Sequence, residues 1–183
     1  MDVCTDFKIL TVPGWTNSGP EHWMTRWEET HPQFMRVEQQ DWQYPRRIDW
    51  VAELERSVAS VRQPVILVAH SLGCLTVAYA AQENKHSVAA ALLVAPCDVE
   101  RTDAAPELRD FMPMPFGPLA YPTLTVASRN DPTCAFDRAE KLAASWGSRL
   151  IDAGSAGHIN SASGHGFWPE GEQYFKELVA MLA

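Results

Sequence analysis

The stretch Pro64 to Gly73, Pro-Val-Ile-Leu-Val-Ala-His-Ser-Leu-Gly, constrains this chain more than any other. Val65 to Ala69 is a continuous apolar run, rich in β-branched residues and opened by a proline, which predicts a strand buried on both faces of a parallel sheet. Directly after it, Ala69-His70-Ser71-Leu72-Gly73 is the nucleophile-elbow pattern G-x-S-x-G with alanine in place of the first glycine. In such an elbow the strand turns sharply into a helix and the serine hydroxyl stands exposed above the sheet. Small residues on either side let strand and helix cross closely. A serine between a strand and a helix also serves as an ordinary helix cap. The reading therefore depends on whether the chain supplies a base, an acid and an oxyanion site in the matching order.

Around that stretch the chain alternates strand and helix. Phe7 to Val12 predicts a strand that runs into the turn-rich loop Pro13-Gly14-Trp15-Thr16-Asn17-Ser18-Gly19-Pro20. Ser18 with Glu21 three residues on is a capping-box pair and Pro20 falls in the first turn, so a helix is expected to begin here, with Trp23 and Trp27 on one face. Phe34 to Glu38 reads as a short strand, and Ile48, Val51, Leu54, Val58 and Val61 recur with the spacing of an amphipathic helix. The helix after the elbow, Leu72 to Gln82, is apolar nearly all round, which predicts burial in the middle of the molecule.

Further strands are expected at Val88 to Ala95, Thr123 to Ala127 and Arg149 to Asp152, with helices at Ala135 to Trp146 and Trp168 to Leu182. The last presents Phe175, Leu178, Val179 and Leu182 inward. Val99 to Pro122 is proline-rich around an apolar Phe111 to Phe116 segment and cannot be one regular helix. It reads as a wall or lid over a site, or equally as a long connection covering the sheet edge. With no repeat or linker, residues 1–183 are expected to form one α/β domain. Its mostly parallel sheet of about six strands should carry helices on both faces. Loops beyond the strand C-terminal ends then form one rim, where the chemistry belongs.

Composition narrows the partners. A formal net charge of −8 argues against nucleic acid, whose phosphates demand clustered Lys and Arg, and Arg46-Arg47 reads as a solvated face. The sequence has no apolar run of about 18 residues and no basic segment followed by an apolar one near Met1, so a cytoplasmic protein without a membrane role is expected. Cys4, Cys74, Cys97 and Cys134 lack C-x-x-C spacing, which predicts free thiols, no metal and no cofactor.

A serine hydroxyl needs an imidazole to take its proton and a carboxylate to hold that imidazole. Of the carboxylates on the predicted rim, Asp98 and Asp131 are both candidates for the acid, and Asp152 reads as a turn residue. Among the histidines, His158 in the glycine-flanked loop Gly154 to His158 is the candidate base, and His165 reads as a lone loop residue. His22, His31 and His86 read as surface positions. His70 should point away from Ser71 on the strand's alternation, which predicts a packing role. The oxyanion hole would use the backbone N–H groups of Leu72 and Trp15. Trp15, Trp168, Phe111 and Phe116 suggest a partly apolar acyl pocket.

Several strings carry a further likeness: Val12-Pro13-Gly14-Trp15 with Glu21-His22-Trp23, Ser128-Arg129-Asn130-Asp131-Pro132, Gly157-His158-Ile159-Asn160, and Ser163-Gly164-His165-Gly166-Phe167-Trp168-Pro169-Glu170-Gly171. With the elbow, they resemble the small serine hydrolases related to retinoblastoma-binding protein nine and bacterial YdeN, over nearly the whole chain. The resemblance implies an α/β-hydrolase-like three-layer sandwich without a large cap domain. It also implies a triad of Ser71, Asp131 and His158, favouring Asp131 over Asp98. The expected activity is metal-independent hydrolysis of small-molecule esters, less so amides, through an acyl-enzyme. Two alternatives share the scaffold: an adaptor that binds a protein partner without catalysis, and an acyltransferase.

Overall fold

The protein is described by a computed structural model over residues 6–83 and 88–182; Cys4 and His86 lie outside the described residues. In chain order the elements are β1 (Lys8–Val12), α1 (Trp23–Thr30), β2 (Phe34–Arg36), α2 (Arg47–Ser60), β3 (Val65–His70), α3 (Leu72–Glu83) and β4 (Val88–Val94). A 3-10 helix (Pro106–Phe111) follows, then β5 (Thr123–Ala127), α4 (Phe136–Trp146), β6 (Arg149–Asp152), a 3-10 turn (Ser161–Ser163) and α5 (Pro169–Ala180). The strands form one sheet in the order β2-β1-β3-β4-β5-β6, and every pairing is parallel.

Each strand's alternation sends its side chains into one of two cores. Leu10, Val65, Leu67, Ala91 and Leu93 pack against α2, α3 and α4, through residues such as Trp50, Leu54, Leu75, Leu142 and Trp146. Ile9, Ile66, Val68, Leu92 and Val126 pack against α1 and α5, through Trp23, Trp27, Phe175 and Leu178. Burying both faces is what the uninterrupted apolar strands require. The chain leaves β1 for the sheet's edge at β2 and returns to β3 on β1's other side. This places the reversal of strand order between the ends of β1 and β3, where α/β sheets open a crevice.

Val99 to Pro122 forms a wall as expected, but it packs into one core face and does not cover a sheet edge. Ala104, Ala105 and Leu108 wall the crevice, whereas Phe111, Met114 and Leu119 are buried in the core beside α2, α3 and α4. Among the described residues, no large cap domain rises above the sheet.

Three local expectations are corrected. Helix α1 begins at Trp23, not near Ser18. Ser18 is buried in the loop, its carbonyl taken by Arg36 Nη1 (3.0 Å) and Thr25 Oγ1 (3.0 Å), and Glu21 pairs with Arg26. His22 takes the cap site instead, its Nδ1 accepting the Met24 N–H, and is buried rather than on the surface. On α2, Trp50 fills the inward place and Ile48 is exposed.

Candidate active site

Ser71 stands between the last residue of β3 and the first of α3 with φ +55°, the left-handed conformation that a serine adopts only under constraint. The constraint is the crossing around it. A β-carbon at Gly73 would stand 2.1 Å from the Val12 carbonyl oxygen, and one at Gly14 would stand 2.7 Å from Ser71 Cβ. β1 and its loop therefore press directly on the elbow. Ala69, in the first glycine's place, is fully buried in the α2–α4 core and its methyl is accommodated there.

The loops after β5 and β6 bring two more groups to Ser71. His158 Nε2 lies 3.0 Å from Ser71 Oγ, and His158 Nδ1 lies 2.9 Å from Asp131 Oδ2 and 3.0 Å from Oδ1. Both side chains are largely shielded, His158 13% and Asp131 3% exposed. With Nδ1–H donated to the carboxylate, Nε2 is left as an acceptor for the serine proton. Asp98 borders the same cleft but is engaged away from His158: its carboxylate accepts the Glu100 N–H (3.0 Å) and faces Arg138 Nε at 3.3 Å. Asp152 sits on the exposed sheet edge with Arg129 and accepts the Gly154 N–H at 2.9 Å, as a turn residue does.

Sequence reasoning missed the groups that hold this arrangement. Thr133 donates its backbone N–H (2.7 Å) and its hydroxyl (2.9 Å) to Asp131 Oδ1, and the hydroxyl oxygen is 3.1 Å from His158 Nδ1. Asn130 Oδ1 accepts the Gly157 N–H at 2.7 Å, and Ser128 Oγ accepts the Ala156 N–H at 2.9 Å, tying the β5 loop to the histidine loop. Their advance signal was their closeness to Asp131, with Ser128 and Asn130 inside a string that carries the family resemblance; hydrogen bonds between loops leave no periodicity.

Trp15 and Leu72 line the same cleft as Ser71 and His158, a space of about 410 Å³. Leu72 is the first residue of α3, where a helix leaves its N–H free for a ligand. Trp15 donates its indole N–H to Gln43 O (2.9 Å), which fixes the loop after β1. Of the four aromatics expected around an acyl pocket, only Trp15 lines this cleft. Phe111 and Trp168 are buried in the two cores, and Phe116 lies beneath the Arg138 guanidinium. Cys97 also borders the cleft, but burial foremost pushes its thiol up to about 12, so it stays protonated and is no rival nucleophile at neutral pH. The described cysteines Cys74, Cys97 and Cys134 are free and buried. Among the described residues, no helix is long and apolar enough to cross a membrane.

Comparison with known proteins bears on this geometry. A sequence model of the family described as serine hydrolase matches residues 9–177. A YdeN-like hydrolase from Pectobacterium atrosepticum is 36% identical, over 97% of this chain and 92% of that one, with a TM-score of 0.86. The ydeN gene product of B. subtilis (18% identity, 96% and 100% covered, TM-score 0.75) shares the fold. So does mouse alpha/beta hydrolase domain-containing protein 10 (15% identity, 100% and 93% covered, TM-score 0.75). No match is found among the curated protein sequences compared.

Proposed function

The chain belongs to the serine hydrolase family, and from that premise we propose that it cleaves small carboxylic esters through an acyl-enzyme formed on Ser71. The observation that carries the reading is the continuous line from Ser71 Oγ through both nitrogens of His158 to Asp131, with separations of 3.0 and 2.9 Å. In the proposed reaction Ser71 Oγ attacks the ester carbonyl carbon as His158 Nε2 takes its proton, and Asp131 stabilises the imidazolium through Nδ1–H. The N–H groups of Trp15 and Leu72 receive the charge that develops on the carbonyl oxygen. His158 then returns the proton to the departing alkoxide, and water, activated in the same way, releases the acid. Trp15, Ala104, Ala105 and Leu108 give the cleft an apolar wall suited to a small acyl group. An alcohol leaving group needs less protonation than an amine, which favours esters over amides.

The test is labelling with a fluorophosphonate, located by mass spectrometry, alongside turnover of p-nitrophenyl acetate. Wild type is expected to label at Ser71, and Ser71→Ala not at all. Asp131→Asn should lose roughly 10³–10⁴-fold in rate, as when the acid can no longer hold the imidazole's tautomer. Asp98→Asn should stay close to wild type. A folded wild type that neither labels nor turns over the ester would overturn the proposal and favour a scaffold that binds a partner without cleaving it.

A further inference from the structure

The residue before the nucleophile reaches the base from behind. His70 ends β3, is 5% exposed, and has its Nε2 2.9 Å from the backbone carbonyl oxygen of His158. A carbonyl can only accept, so Nε2 carries the proton and donates. The next carbonyl along, Ile159, accepts the indole N–H of the fully buried Trp23 at 2.8 Å. Two consecutive carbonyls are thus gripped by side chains from other elements, in a segment whose backbone takes an unusual path. Gly157 has φ +61° and Ile159 φ +46°, and for a β-branched residue the left-handed region is costly. Both grips are themselves fixed. The His70 backbone pairs with Val94 in the sheet, the His70 ring packs edge-on to His22 at 4.8 Å, and Trp23 packs against Trp27 and Trp168 at 4.8 and 5.0 Å.

We propose that His70 is a positioning residue whose Nε2–H, together with the Trp23 indole, clamps the backbone of His158 so that its imidazole stays aligned between Ser71 and Asp131. The inference rests on reading His158 as the general base. His70 thereby links nucleophile and base through one side chain: the same turn that strains Ser71 aims the adjacent residue at the base's own backbone. An error of about 1 Å in such an alignment costs on the order of 100-fold in rate.

The experiment compares His70→Phe, which fills the space without a donor, with His70→Gln, whose amide nitrogen can reach where Nε2 stood. Far-UV circular dichroism and urea melts establish that each is folded. With p-nitrophenyl acetate, His70→Phe is expected to lower kcat by roughly 10- to 100-fold with little change in KM. His70→Gln should recover most of that loss. Hydrogen–deuterium exchange over residues 157–165 supplies a readout that does not depend on activity: uptake should quicken in His70→Phe and return towards wild type in His70→Gln. Equal impairment of the two variants, or unchanged uptake in His70→Phe, would overturn the clamp. If wild type itself fails to label at Ser71, the catalytic reading falls separately and the exchange comparison alone decides whether His70 holds the segment.

Discussion

Ser71 has a left-handed backbone because three neighbours leave it no other path: β1 crosses at Gly73, the following loop presses at Gly14, and α3 starts at Leu72. The strain can be measured apart from the hydroxyl's chemistry by comparing two variants that both lack it. Ser71→Gly should be more stable than Ser71→Ala by about 1 kcal/mol, since only glycine occupies this region without a β-carbon clash. Urea denaturation of the pair checks it, and equal midpoints would mean the elbow is relaxed. The serine and its histidine were legible in the sequence because the elbow pattern and the glycine-flanked loop each leave a local mark. Spacing alone left Asp98 and Asp131 open, since both follow strands on the same rim; the family resemblance favoured Asp131, and Arg138 beside the one and Thr133 beside the other separate them in the structure.

Among the elements, the loop from β1 into α1 departs furthest from its sequence pattern. The Ser18 and Glu21 pair satisfies the local rule for a helix start, but a largely buried arginine from β2 outweighs it. Arg36 reaches Glu28 with Nε (3.1 and 3.0 Å), Asn17 Oδ1 and the Ser18 carbonyl with Nη1 (3.1 and 3.0 Å), and Thr25 Oγ1 with Nη2 (2.6 Å). A local motif cannot reveal a partner arriving from another strand. Arg36→Ala is expected to cost about 3–5 kcal/mol, because Glu28 and the Ser18 carbonyl would lose a largely buried partner. Arg36→Lys should recover little, since an ammonium cannot make the guanidinium's fork of bonds. Urea melts give the stability. The same variants should lose ester turnover, because Asn17 and Ser18 lie two and three residues beyond Trp15 in the same loop. The strands and remaining helices, marked by continuous apolar runs or by helical spacing of apolar residues, lie within a residue or two of their expected places.

Taken whole, the molecule buries two neutral imidazoles in series behind His158. Burial foremost, with Arg36 and then His158 adding to it, lowers His22 from its ordinary value to about 4, and burial foremost holds His70 well below that ordinary value. Both rings gain protons on unfolding near pH 6.5 and resist them when folded. The unfolded chain therefore binds more protons below that pH, and stability is full above it and declines as pH falls towards 4. Each ring contributes a limiting slope of about 1.4 kcal/mol per pH unit. His22→Asn keeps a helix-capping side chain but does not titrate, so its urea-melt stability should decline less between pH 7 and pH 4, by about 3 kcal/mol. Parallel curves would refute the assignment of that proton to His22. At the sheet's two margins, the bordering strands are its shortest: three residues in β2 and four in β6. Beside β6, Arg129 pairs with Asp152 and Arg149 with Glu177. A stray strand from another chain would find only a brief ladder there, and charge in place of an apolar flank. The sheet that carries the chemistry thus gives little purchase to edge-to-edge aggregation.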